Sequence, residues 1–318
     1  MTITTRGPVI SFGEALIDLI ADPGHDLGTA TSLAIREGGA PMNFAVALAR
    51  LGVPSALATV VGDDPFGRRL VALLDAEGVE TSGVRITSEA DTTIAYAWRN
   101  ARGDGSFRLV RMADRLLSVA DVERASIGAA TAILAGSVAL AAQPSRAAVE
   151  RAVDIAVQEG VPVIFDVNVR PTLWPDVDSL RAASEPILAA AHVIKLSLDD
   201  AAVLWGSSAI VDVQQALAAF AAPYVVVTDG GRAAWSRIAG TWAEYAVFAV
   251  DAVEPTGAGD AFNAAFVSRL IANDWARASA ADVRFAMAAG AIATTKPGAI
   301  AALPTVAEVE AFLAARTA

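Results

Sequence analysis

An α/β fold built on a doubly wound, mostly parallel central sheet is predicted by three observations. Short, wholly apolar runs recur along the chain, stretches of helical periodicity separate them, and no change of composition divides the sequence. The runs are 9–12, 56–61, 132–135, 163–165, 193–196 and 224–227. Strands apolar on both faces are those that helices cover from both sides. Between them apolar residues repeat at helical spacing over 42–51, 66–77, 146–159, 179–190, 211–221 and 261–271. Alternation of β with α is the mark of the parallel α/β class. With no linker-like stretch and no internal repeat, residues 1–318 read as one domain.

Composition excludes several classes of function. The chain has 54% apolar and 19% charged residues, which is globular rather than disordered. A net charge of −11 argues against the basic face of a nucleic-acid binder. The absence of cysteine rules out disulfides, thiolate zinc sites and cysteine nucleophiles. His25 and His192 share no metal-ligand spacing and read as structural or surface residues. The opening MTITTRGPVISFGE has no apolar leader core. The uncharged stretch 125–145 is long enough to span a bilayer, but Gly128, Gly136 and Pro144 interrupt it. A helix end, a buried strand and a loop fit it better, so no membrane partner and a cytoplasmic location are expected.

One region departs from the βα alternation. Ile94, Tyr96 and Trp98 alternate with Ala95 and Ala97, a turn-rich ARGDG follows, and alternation resumes over 106–111. That is a β-hairpin. Such a hairpin serves as a lid over a ligand, as a dimer interface, or as a plain edge, and the pattern leaves these open.

The segment VEPTGAGDAFNAAFVSRLI carries the sharpest chemistry. Phe262, Phe266 and Leu270 recur at i, i+4, i+8, so a helix begins near Gly257. Its first turn, Gly257-Ala258-Gly259, has small side chains that leave the amides and the positive helix end open to an anion. Asp260, directly after, is placed to take the proton of a hydroxyl attacking phosphorus. No GxxxxGK[ST] loop and no protein-kinase motif set is present, so phosphoryl transfer rests on another scaffold. A second constellation, Glu14 to Asp18 with Gly38-Gly39-Ala40-Pro41-Met42-Asn43, lies just after the first strand, at the sheet end where open α/β folds bind ligands. Asp18 and Asn43 there suit the hydroxyls of a polyol.

Together these segments resemble the ribokinase-like (PfkB) carbohydrate kinases, end to end: GEALIDLI, GGAPMNFAVALARLG, VVGDDPFG, DVNVRPTLW, KLSLDDAAVLWG, VVVTDGG and EPTGAGDAFNAAF. The resemblance implies an ATP:sugar phosphotransferase using Mg²⁺, with a small β lid drawn from about 15–38 and 88–111, and the hairpin pattern leaves a homodimer through that lid open. It implies Asp260 as base and Gly257, Ala258 and Gly259 as the anion hole. Asp18, Gly38, Gly39 and Asn43 would meet the sugar, while Thr228, Gly230 and Lys195 would lie along the nucleotide with Gly257 and Gly259. The stretch 288–298 resembles the lining of the adenine pocket and a monovalent-cation loop. GDGSFRLVRMADRLL and DVNVRPTLW look most like bacterial fructokinases, making Arg111 and Arg170 candidates for the sugar or the transferring phosphate. A sugar-acid (2-keto-3-deoxygluconate) kinase, a ribokinase or a nucleoside kinase are the alternatives, and a catalytically silent sugar-binding regulator is one of another class.

Three positions depart from the family's pattern. Glu254, followed by Pro255, stands where Asp is usual; its longer side chain on a fixed φ predicts weak or absent K⁺ activation. Asp200 holds the acidic position of the magnesium motif but is one methylene short, so it would act through water. Asp229 adds a negative charge beside the nucleotide.

Overall fold

The structure, a computed structural model, describes residues 7–22, 24–99 and 105–316. Its strands are β1 (Val9–Phe12), β2 (Leu16–Ala21), β3 (Leu33–Gly38), β4 (Ser55–Gly62), β5 (Val84–Thr87), β6 (Ile94–Arg99) and β7 (Gly105–Val110), followed by β8 (Ala132–Gly136), β9 (Val163–Asp166), β10 (Val193–Ser197), β11 (Tyr224–Asp229), β12 (Ala233–Ile238) and β13 (Thr241–Ala246). Nine of them form one sheet in the order β13-β12-β11-β10-β9-β8-β1-β4-β5. It is parallel from β11 to β5, with β12 and β13 antiparallel at one edge.

Successive strand residues point to opposite faces, and here both faces are core. Val9, Leu57, Leu134, Ile164 and Val226 pack with the helices Ala40–Arg50, Ala258–Ala272 and Ala280–Ala293. Ile10, Ala58, Ile133, Phe165 and Val227 pack with Ser145–Glu159, Val177–Ala190 and Leu198–Trp205. That double burial is why these strands carry no polar alternation. The uncharged stretch 125–145 becomes a short 3-10 turn, the buried strand β8 and a helical turn at Ser137–Leu140. No helix among the described residues is long and apolar enough to cross a membrane.

From β1 the sheet grows through β4 and β5 on one side and through β8 to β11 on the other. Strand order therefore reverses between β1 and β8, and a crevice opens beyond their carboxyl ends. Over it lies a second sheet, β3-β2-β6-β7. β6 and β7 pair antiparallel, as the hairpin pattern predicts, with Ile94 opposite Val110. Of the expected turn, residues 101–104 lie outside the described residues. β2 joins β6 in parallel and β3 antiparallel. Ala95 of this sheet is buried, whereas Leu33, Ile35 and Phe107 are exposed.

Candidate active site

The helix Ala258–Ala272 begins at the carboxyl ends of the central strands. Its N-cap is Gly257, at φ 82°, with no side chain capping the turn. A side chain at 257 would be strained by that φ and would press on Ala299 at 3.0 Å. The Ala258 amide donates to Pro255 and that of Ala261 to Gly257, which leaves the intervening amides of Gly259 and Asp260 without a helical partner. The turn is thus an open anion cradle, as the motif predicts.

Asp260, third in this helix, is buried and does not cap its own turn. Instead it accepts a hydrogen bond from Asn43 Nδ2 at 2.8 Å. Asn43 sits in the first turn of Ala40–Arg50, whose N-cap, Gly39 at φ 106°, also lacks a side-chain cap. Two bare helix N-termini therefore converge on one carboxylate. A Cβ at Gly39 would lie 2.5 Å from the Glu14 carbonyl, and one at Gly38 would collide with the Asp18 carboxylate. Burial raises the Asp260 pKa, opposed by the Lys195 ammonium, the Asn43 amide and Arg170. Asn43 Nδ2 is thus given to Asp260, while its Oδ1 is buried without a partner.

Asp18 follows β1 in the chain and lies on β2 of the smaller sheet, within the expected lid segment 15–38. It faces inward, nearly buried, and titrates at about 7, because burial and the Glu254 carboxylate outweigh Arg170. Glu14 at the carboxyl end of β1 is also buried and titrates at about 7 through desolvation. Arg170 donates to Asn168 Oδ1 at 2.8 Å, and its guanidinium sits 5.4 Å from the Phe107 ring of β7, spanning main body and small sheet.

Lys195 is buried beneath the cradle: a Cβ at Gly259 would lie 2.8 Å from its Nζ. Its ammonium pairs with Asp166 Oδ1 at 3.1 Å, and Asn263 Nδ2 donates to Asp166 Oδ2 at 3.3 Å. Lys195, expected along the nucleotide, is therefore buried under the first turn of this helix. Asp166 and Glu14 are the site residues that sequence reasoning gave no role. Their signal was there, since each stands at the carboxyl end of a central strand.

Three expectations are corrected. Arg111 is not directed at a ligand: it donates to Asp114 at 2.6 Å, to the Val138 carbonyl at 2.6 Å and to Ser145 Oγ at 3.1 Å. The partner stands three residues on, and burial of both charges requires the pairing. Asp200 is not a free carboxylate: Oδ1 accepts from the Val169 amide at 2.7 Å, and Oδ2 from the Ser197 amide and hydroxyl, closing a capping box. Asp200→Ala is expected to cost about 2–4 kcal/mol in urea unfolding, from the lost cap and the orphaned buried amide. The Mg²⁺ concentration for half-maximal rate in Asp200→Asn should not move; a large rise would restore the metal role. Third, Asp229 adds no free charge, because Arg232 holds both its carboxylate oxygens.

Glu254 Oε2 accepts from the Gly298 amide at 2.9 Å, while the Thr294 carbonyl accepts from the amides of Val253 and Glu254. One Glu254 carboxylate oxygen and the Thr294 carbonyl, two groups that a cation between these loops would use, are thus already held by backbone donors. No group of three or more carboxylate or histidine ligands occurs among the described residues. A divalent ion would therefore ride on nucleotide phosphates rather than sit in a protein cage.

Beside the cradle is a cavity of about 440 Å³, lined by Thr228, Gly230, Ala258 and Gly259 together with Phe248 and Met287. The structure thus brings the two strand-end residues Thr228 and Gly230 to the same turn as Gly259, while Asp18, Asn43 and Arg170 lie outside this lining.

Residues 8–306 match the family described as pfkB family carbohydrate kinase. Over 312 residues the chain is 36% identical to fructokinase-1 of Zea mays, covering 96% of this chain and 97% of that protein. It is 33% identical to a double mutant of fructokinase from Vibrio cholerae O395, solved in a fructose-, ADP- and potassium-bound form, with a TM-score of 0.85 over 97% of this chain and 99% of that one. A putative ribokinase II from E. coli, in complex with ATP and Mg²⁺, is 25% identical with a TM-score of 0.88 over 97% and 99% of the two chains.

Proposed function

The chain belongs to the pfkB family of carbohydrate kinases, and from that membership we propose that it transfers the γ-phosphoryl group of ATP to a primary hydroxyl of a small sugar, fructose first. The observation that carries this reading is a buried carboxylate, Asp260, in the open first turn of a helix that also lines a nucleotide-sized cavity. A hydroxyl brought to Asp260 loses its proton there as it attacks phosphorus. In the turn Gly257-Ala258-Gly259 the unpartnered amides of Gly259 and Asp260 hold the developing negative charge, and Lys195 beneath them adds a fixed positive charge that needs no rearrangement. Asp18, with Gly38 and Gly39 giving it room, receives the sugar hydroxyls. Arg170 approaches the transferring phosphate, and Thr228 and Gly230 flank the nucleotide. Mg²⁺ would be held chiefly by the phosphates of the nucleotide and would supply charge neutralisation there.

Fructose is favoured because the relatives of about one-third identity are named fructokinases over nearly their whole length. Arg111 being spent inside the fold also removes one of the two guanidiniums a sugar acid would use. The smaller sheet acts as lid over the crevice. Its exposed Leu33, Ile35 and Phe107 offer a face for a second copy of the chain. This reading goes with a cytoplasmic location, where ATP is at hand. A coupled assay of ADP release over fructose, ribose, 2-keto-3-deoxygluconate and adenosine tests the proposal: fructose should show the highest kcat/KM, and no turnover with any sugar would overturn it.

K⁺ enters this scheme only as a prediction of its absence. The Glu254–Gly298 bond ties together the loops that flank the cradle. Consequently kcat should be the same in potassium, sodium and tetramethylammonium chloride at matched ionic strength. A saturable gain specific to K⁺ would show that Glu254 releases Gly298 to serve a cation.

A further inference from the structure

Among the described residues, the cavity beside the cradle has no charged or amide side chain with which to read a base. Among the described residues its lining side chains are apolar or absent, apart from two threonines. Thr294 donates its hydroxyl to the Ala291 carbonyl at 2.7 Å. Thr228 stands at the end of β11, next to Gly230, with its hydroxyl turned toward the Leu196 carbonyl at 3.5 Å. No amide, carboxylate, guanidinium or ammonium side chain enters the lining, so the donor and acceptor pattern that separates adenine from guanine meets no matching side chain.

What the cavity offers instead is a stacking surface of fixed place and adaptable width. The Phe248 ring is held edge-to-face by Phe312 at 5.3 Å, and the Arg284 guanidinium lies 5.1 Å from its centre. Met287 contributes an unbranched thioether that fits rings of different outline. Gly230, Gly231, Ala249 and Ala252, all in the lining, are exposed. The cavity therefore opens to water along that rim, and the polar edge of a base can stay hydrated there instead of being stripped without a partner.

We infer that the phosphoryl donor is chosen by its triphosphate and not by its base, so that GTP, ITP and, less well, UTP serve alongside ATP. The inference rests on the assignment of this cavity to the nucleotide made above. An apolar pocket separates ligands by roughly 10–200-fold, whereas a site built to bond a specific group rejects analogues by roughly 10⁴–10⁵-fold. The phosphate end, from Gly257 to Gly259 with Lys195 beneath, is the same for every donor and dominates binding.

The test compares kcat/KM for ATP, GTP, ITP and UTP at saturating sugar, with calorimetric binding of ADP, GDP and IDP as a second readout. GTP and ITP should fall within about 10-fold of ATP and UTP within about 200-fold. If ATP supports turnover and both GTP and ITP fall 10³-fold or more below it, roughly the start of hydrogen-bonded discrimination, the inference is overturned while the nucleotide assignment stands. If no donor supports transfer and no diphosphate binds, the assignment itself fails and the inference with it. Phe248→Ala adds an internal check. It should lower kcat/KM for ATP and GTP by the same factor, and a loss confined to one of them would show that the base is read after all.

Discussion

Asp260→Asn is expected to lower kcat by roughly 10²–10⁴, a barrier increase of about 3–5 kcal/mol, with sugar and nucleotide affinity nearly unchanged. The amide keeps the shape of the buried carboxylate and can turn its oxygen toward Asn43 Nδ2, so the packing between the two helix starts is preserved. What is lost is a base whose pKa burial has raised, which makes it a stronger proton acceptor than an exposed aspartate. The ionised form accepts the proton, so the wild-type rate should fall on the acid side as Asp260 protonates, and that limb should vanish in the variant. A near-normal kcat for Asp260→Asn, measured under saturating substrates, would remove the base from its role.

Asp18→Ala should weaken sugar binding by about 2–4 kcal/mol, because hydroxyls brought against β2 would be buried without an acceptor. Calorimetry should show ATP affinity nearly unchanged. Because Asp18 titrates at about 7 and hydroxyls donate to its ionised form, sugar affinity in the wild type should drop as pH falls through that value and level off above it. The variant should have no such dependence. Loss of ATP binding with sugar binding intact would require the two sites to be exchanged.

The central strands were legible because burial on both faces leaves only apolar residues, a pattern no exposed segment shares. The glycine-led helix was legible because Gly257 and Gly259 are demanded by conformation and by close approach, and Asp260 by chemistry. The edge pair β12–β13 was not: Ala233–Ile238 and Thr241–Ala246 mix polar and apolar residues on a half-exposed border. Nor was the fate of individual charged groups. Arg111 has the same side chain whether it faces a ligand or Asp114, and Asp200 the same carboxylate whether it meets a metal or the Ser197 amide. Only the partner decides, and for Asp260 and Asp18 the partners come from helices and strands remote in sequence. Asn43 and Asp260 stand 217 residues apart.

The cluster of buried acids at the crevice also sets how the fold responds to pH. Glu14 and Asp18 titrate near 7 in the folded chain, whereas in an unfolded chain they would do so at about 4, as ordinary carboxylates do. Between those values the folded state binds more protons than the unfolded one, so their contribution to stability is fully present below the lower value and is lost as pH rises through the upper. Asp64, Asp121 and Asp282 titrate below the usual range and act in the opposite sense, withdrawing stability only in stronger acid. The urea midpoint of the ligand-free protein should therefore be higher at about pH 5.5 than at about pH 8. The ionised site that would accept hydroxyls and protons is thus held at the expense of the resting fold, and a bound sugar, by donating to Asp18, would return part of that stability.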